Sequence, residues 1–566
     1  MEMKLAISLV IFLWAVAPAA AAEPDLIFFG GKVFRGPGRY AQAVAIGDNR
    51  ISDVGFDADI LRLKGEKTAV VDLRGRAVTP GFHDAHAHFL KGALFLNQVD
   101  LNGAKSLAEI KKRVAAYASS HPEADWILGR GWEQAAFADP QAPTREALDA
   151  VVSTRPVALT QAGGRGLWMN TEGLRRAHIT KTTSNLNKGE IALDASGRPT
   201  GLLREDAVGL AARFIPRPTR AQKLDALRKA LALARELGVT SVDSMPDVVD
   251  IPPREQADLW SELYRKQETT LRFFMYGRLE DASEAAALRK TMADFPRTRF
   301  GVVGAKGFVD GTIDARTAAL FEPYFDDPKT AGKPLITQGR LDELVRRAHA
   351  LGLQTALSAA GDRAVRMALN ACEKSEDYAK KESLVLVPYP CRVERADVVS
   401  TEDAPRFKTL AAASMQPGRM AYADEVENYN PERLGGRVQQ VFAWKTLEDA
   451  GAQMAFGSDW PMAALDPRVG LFAATTRRNF NGRPAQGWIP KQKISLEDAV
   501  EHYTASPARL IGREEELGSI APGKLADLVV FDRDLFSTSG LDLLAVKVDY
   551  TIYDGRIVYE RKDLKP

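Results

Sequence analysis

The stretch Thr79–Leu90, TPGFHDAHAHFL, places His83, His86 and His88 close together in a chain that has only 7 histidines. Histidine is the commonest metal ligand, so so dense a cluster points to a metal site. Side chains two apart on a strand face the same way. His86 and His88 therefore project to one side and can grip one cation, whereas His83, of opposite parity, points elsewhere and reads as structural. For this to matter the segment must be a strand, and its surroundings say what kind.

Downstream, apolar runs alternate with helical patterns. GVTSVDSM, LRFFMYG, VVGAKGFVDG, LQTALSAAGD, LVLVPYPCRVE, AAASMQP and AQMAFGSDWP read as strands, and RAQKLDALRKALALARELG and GRLDELVRRAHALG as helices between them. Strand and helix in alternation predict βαβ units and a parallel sheet. With the histidine segment the strands number eight, which predicts an α/β protein built on a (β/α)8 TIM barrel over residues 79–514. A segment at about 100–220 breaks the rhythm and reads as an insertion. The β-rich runs at both ends, DLIFFGGKVFRG to AVVDLRGRAVTPG and GKLADLVVFDRD to KVDYTIYDGRIVYE, predict one composite β-sandwich from residues 23–78 and 515–566.

Chemistry in such a barrel sits at the C-terminal ends of its strands. Those ends carry His86 and His88, Lys306 and Asp310, Ser358 and Asp362, Glu394 and Arg395, Arg419, and Asp459. Lys306 lies among apolar and glycine residues, where a lysine can shed its proton, or else snorkel to the rim. Asp459 follows an apolar strand and suits either a metal ligand and proton acceptor or a helix N-cap. Trp126, Trp132 and Trp168 in the insertion could line a pocket but read as buried core. His349, in VRRAHALG, reads as a helix-surface residue, and His121, His178 and His502 as poor ligands.

Bulk properties narrow the partners. The net charge of +2, with Lys and Arg spread along the chain, gives no basis for nucleic acid or an anionic membrane. The N-terminus, MEMKLAISLVIFLWAVAPAAAAEPD, has the charged, apolar and small-residue regions of a secretory signal over residues 1–22. Its apolar run is short for a full membrane span. A periplasmic or secreted protein is expected, with no membrane contact after cleavage. Cys372 and Cys391, the 2 cysteines, fit no zinc spacing; in an oxidising compartment they could pair.

TPGFHDAHAH, GAKGFVDGTIDARTA, AAGDRAV, VER, SMQP, GSDWPMAALDP and GSIAPGKLADLVVFDRDLF occur in this order. Together they resemble the amidohydrolase superfamily, and more narrowly its YtcJ-like (amidohydrolase 3) branch. The resemblance implies a metal-bearing barrel, a composite sandwich, an inserted domain and hydrolysis of C–N bonds other than peptide bonds. It also implies metal ligation by His86, His88, Lys306 (a lysine that can be carboxylated in the family) and Asp459, with Asp459 also the catalytic proton acceptor.

The sequence departs from that pattern at four places. Ser358 stands where strand five of the family carries a histidine, and Arg395 where strand six does. GGR, with Gly163 and Arg165, replaces Asp-Gly-His, and Arg419 takes the place of a histidine after Met-Gln-Pro. Serine is a poor zinc ligand and a guanidinium cannot coordinate a cation. Arg395 beside a second divalent ion would add a repulsion of several kcal/mol at an effective dielectric of about 20. One Zn²⁺ per chain is therefore expected rather than a dinuclear centre, acting on a small-molecule substrate. The alternative is a catalytically degenerate binding or regulatory protein whose Arg165, Arg395 and Arg419 hold a small anion. Metal-free chemistry finds no nucleophile–base pair to support it, and self-association is left open.

Overall fold

The computed structural model describes residues 23–133, 143–185, 189–246, 251–422, 426 and 429–563. The leader at 1–22 lies outside them. Eight parallel strands form the central sheet: β1 (Phe82–Ala87), β2 (Val239–Ser244), β3 (Arg272–Arg278), β4 (Phe300–Phe308), β5 (Gln354–Ala359), β6 (Cys391–Arg395), β7 (Ala412–Met415) and β8 (Met454–Phe456). They pair in chain order from β1 to β8, with helices such as Arg220–Glu236, Gln338–Ala350 and Asp362–Lys381 in the crossovers. The fold is the (β/α)8 barrel.

The strands are covered on both faces: every residue of β2 and β5 is buried, as in parallel sheets covered by helices, and their buried polar groups, Asp243 and Gln354 among them, are hydrogen-bonded inside the barrel. β8 is short, and the ring closes on β1 through a parallel bridge from Ala87 to Trp460, with the Asp459 amide donating to His86 O at 2.7 Å.

Three further sheets lie outside the barrel. One has the order 50–55, 43–47, 26–29, 69–72, and faces a six-stranded sheet that joins three C-terminal strands (556–560, 548–553, 528–531) side by side to three N-terminal ones (77–80, 32–36, 39–41). Phe28, Val44, Ile46, Val78, Val530 and Ile552 share the core between them. Arg272, at the start of β3 and fully buried, clamps this part to the barrel floor through two hydrogen bonds to Asp527, at 2.6 and 2.8 Å. The remaining six-stranded sheet spans Val99 to Arg204. Trp132 and Trp168 pack edge-to-face in its core at 5.7 Å, and Trp126 joins a neighbouring apolar cluster. All three tryptophans serve packing.

Two expectations are corrected. LVLVPYPCRVE is a strand only from Cys391; Val385 is 94% exposed. Pro388 and Pro390 supply no N–H to a ladder, so pairing cannot begin earlier. His349 is buried, not on the surface: its Nδ1 meets Ser375 Oγ at 2.7 Å and its Nε2 meets Pro390 O at 2.9 Å and Thr355 Oγ1 at 3.1 Å. The helix turns this residue onto the barrel, beside the Cys372–Cys391 disulfide that joins helix Asp362–Lys381 to the start of β6.

Burial pushes the His349 imidazole down from 6.5 to about 4. An unfolded chain takes up a proton there below pH 6.5 that the folded chain refuses until about pH 4. The stability linked to this group is thus complete above pH 6.5 and is lost as pH falls through that window, on the order of 3 kcal/mol. His349→Gln is expected to flatten the acid limb of unfolding free energy against pH, read by urea denaturation. An acid limb as steep as that of the wild type would contradict it.

Candidate metal centre

The closure seam assembles the site. Facing β2, β1 carries one extra residue between Asp84 and Ala87, a bulge at the histidine cluster. Asp84 stitches the seam from within: its Oδ1 accepts from His86 N at 3.0 Å and Ser458 N at 2.9 Å, and its Oδ2 accepts from the Ser458 hydroxyl. Burial, offset in part by those donors, pushes the Asp84 carboxyl up to about 7.

With the seam so held, His86 Nε2 and His88 Nε2 stand 3.8 and 3.5 Å from Asp459 Oδ1. One ligand atom from each residue lies within 4.8 Å of the other two. A tetrahedral Zn²⁺ bound at about 2.0–2.1 Å separates its donors by roughly 3.3–3.5 Å, so the spacing fits with little adjustment. Tautomers fit too. His86 Nδ1 is 2.5 Å from Glu394 Oε2 and His88 Nδ1 is 3.1 Å from Met245 O. Both acceptors hold a proton on Nδ1 and leave the Nε2 lone pair facing Asp459. Burial, and then the Lys306 charge, lower the His86 imidazole from 6.5 to about 4, so it is neutral at physiological pH.

Burial alone would raise the Asp459 carboxyl. The two imidazoles and the Arg419 guanidinium around it outweigh this and hold the group far below the usual carboxylate range. Its backbone is left-handed, φ 60°, a conformation to which aspartate and asparagine are better suited than most residues.

The other expected residues divide. Lys306 is buried with Nζ 3.1 Å from His86 Nε2, and Arg419 Nη1 is 3.8 Å from Asp459 Oδ2. Arg395 turns to Asp397, 2.5 Å from its carboxylate, and to Tyr429 Oη at 3.2 Å. Arg165 is exposed in the turn before the strand Gly166–Met169, and no hydrogen bond or ion pair links its guanidinium to the histidine pair. Ser358 is buried at the end of β5. Asp310 accepts three backbone N–H groups, from Ala319, Ala360 and Gly361, and Asp362 accepts from Phe321 N; both brace loops. Among the described residues the His86–His88–Asp459 group is the one cluster of His, Cys, Asp and Glu with metal-binding spacing.

Sequence reading placed Glu394 at a strand end without a role and passed over Asp84. The available signal for Asp84 was its position two residues before His86. For Glu394 it was an acid beside the strand-six position that departs from the family pattern.

A (β/α)8 barrel that gathers two imidazoles and a carboxylate at its strand ends has the fold and a candidate metal site of the metal-dependent amidohydrolase class. Residues 69–559 match the Amidohydrolase family, and the chain belongs to it. It is 29% identical to YtcJ of Bacillus subtilis over 542 residues, covering 94% of this chain and 99% of that one. It is 26% identical to the N-substituted formamide deformylase of Arthrobacter pascens, over 92% of this chain and 95% of that enzyme. Among solved structures, a metal-dependent hydrolase of Pyrococcus furiosus described as uncharacterized superposes with a TM-score of 0.71 at 27% identity, covering 90% of this chain and all of that one.

Proposed function

We propose that this amidohydrolase is an exported, single-zinc enzyme that hydrolyses an amide-like C–N bond, other than a peptide bond, in a small molecule. The observation that carries the reading is the convergence of His86 Nε2, His88 Nε2 and Asp459 Oδ1 with both histidine tautomers set by their Nδ1 partners. These three residues would hold Zn²⁺, which when bound polarises a scissile carbonyl and lowers the pKa of a water. Asp459 accepts the proton released as water attacks and delivers it to the leaving nitrogen, so that the C–N bond breaks to an acid and an amine. Lys306, beside His86, completes the donor set if it is carboxylated.

Arg419, close to Asp459, supplies positive charge for an anionic group on the substrate. The Arthrobacter relative acts, by its name, on N-substituted formamides; N-formyl and N-acyl compounds bearing a carboxylate are the substrate class suggested here. Export is supported by the leader-like N-terminus and by the pairing of the chain's 2 cysteines.

The test is chelation. Dialysis against a zinc chelator is expected to abolish hydrolysis of an N-formyl and N-acyl amino acid panel, and about one equivalent of Zn²⁺ per chain to restore it. Activity that survives complete metal removal would overturn the proposal. The position of Arg419 favours a second reading, a non-catalytic barrel for a small anion. A metal-free, inactive protein that binds such anions would support it.

A further inference from the structure

Beneath the histidine pair lies a belt of buried charge that the reaction as proposed does not use. Arg392, on β6 and fully buried, spends all five of its N–H donors inside the barrel. Nε donates to Glu394 Oε1 at 2.5 Å, Nη1 to Asp243 Oδ2 at 2.7 Å and Tyr276 Oη at 2.9 Å, and Nη2 to Ala85 O at 2.5 Å and Ser414 Oγ at 2.8 Å. Those partners belong to β6, β2, β3, β1 and β7. Asp243 Oδ1 in turn meets His83 Nε2 at 2.9 Å, which absorbs the third histidine of the cluster into the same belt.

Stability does not account for it. Burying ions costs desolvation that their attraction repays only with near-ideal geometry, and apolar residues of like volume serve a core as well or better. What the belt does is fix one oxygen. Arg392 holds Glu394 by Oε1, and this presents Glu394 Oε2 to His86 Nδ1. His88 receives only the neutral carbonyl of Met245. The two imidazoles are therefore unequal ligands: a carboxylate faces the Nδ1–H of His86, a neutral carbonyl that of His88.

We propose that Glu394, locked by Arg392, is a positioning residue that orients His86 and strengthens it as a metal ligand. This rests on the metal reading above. Carboxylate partners of ligating histidines are worth about 10–100-fold in metal affinity.

The experiment compares two substitutions that remove the same charge from the belt. Glu394→Gln leaves Arg392 balanced by Asp243, and Asp243→Asn leaves it balanced by Glu394. Zinc affinity is read by competition with a chromophoric chelator, alongside the d–d spectrum of the Co²⁺-loaded protein and the far-ultraviolet dichroism. Glu394→Gln is expected to bind zinc about 10–100-fold more weakly, with an altered Co²⁺ spectrum. Asp243→Asn, which does not touch His86, is expected to stay within about threefold of wild type, its spectrum unchanged. Should Glu394→Gln not fold, Glu394→Asp keeps the charge, withdraws the oxygen by one methylene and carries the same expectation. Equal effects of the two substitutions, or wild-type affinity in a folded Glu394 variant, would overturn the inference while leaving the metal site standing. A wild-type protein that takes up no zinc would overturn both.

Discussion

Replacing His86 by alanine is expected to lower bound zinc from about one equivalent per chain to a small fraction of one, with amide hydrolysis lost in proportion. The site offers two imidazoles and one carboxylate; removing one donor leaves two, too few to retain the ion through dialysis. His86 is also the hinge of the local electrostatics. Its Nδ1 faces Glu394 and its Nε2 lies near Lys306 and Asp459. Deleting the ring leaves Glu394 paired with Arg392 alone, a pair with short, complete hydrogen bonds, so the barrel is expected to survive. The check is elemental analysis with dichroism of the same sample. Full zinc content in folded His86→Ala would place the metal elsewhere.

The second large effect belongs to Asp459→Asn. Asparagine is nearly isosteric and tolerates the left-handed backbone that Asp459 adopts at φ 60°. Its amide oxygen can still approach the histidines, so the variant is expected to retain part of its zinc. It cannot take up a proton from water. The turnover number is therefore expected to fall by about 10²–10⁴, the usual worth of a positioned general base, with a smaller change in KM. Steady-state kinetics on the most active N-acyl substrate decide it. A fall of less than tenfold with zinc retained would remove Asp459 from the proton-transfer role.

Much of the barrel was legible because its signals are local. Buried parallel strands are apolar runs bounded by polar ends, and the crossovers carry helical periodicity, so the strand order from β1 to β8 follows from reading along the chain. LVLVPYPCRVE misled because its apolar composition said strand while its prolines, Pro388 and Pro390, forbade the ladder. His349 misled because one polar residue in a basic helix looks exposed. Its burial depends on where that helix docks against Thr355 and Pro390.

Parity took the site only part of the way. Counting by twos set His86 with His88 and set His83 apart, yet the bulge in β1 interrupts the count. All three are held by the barrel interior, His83 through Asp243. The three arginines show the same limit. As sequence they were equivalent candidates for binding an anion. In the fold Arg419 reaches Asp459, Arg395 is tied to Asp397 and Tyr429, and Arg165 is exposed on the inserted sheet.

By itself, then, the sequence determined the barrel, the family resemblance and the candidate ligands His86, His88, Lys306 and Asp459. Each is a matter of residue type and short-range spacing. The tertiary structure alone decided that Glu394 faces His86, that Arg392 ties five strands beneath it, and that Arg395 turns aside. Those contacts join residues up to about three hundred positions apart. Such pairs meet only when the ring closes, and strand register and the β1 bulge, which no local periodicity encodes, set which side chains face each other.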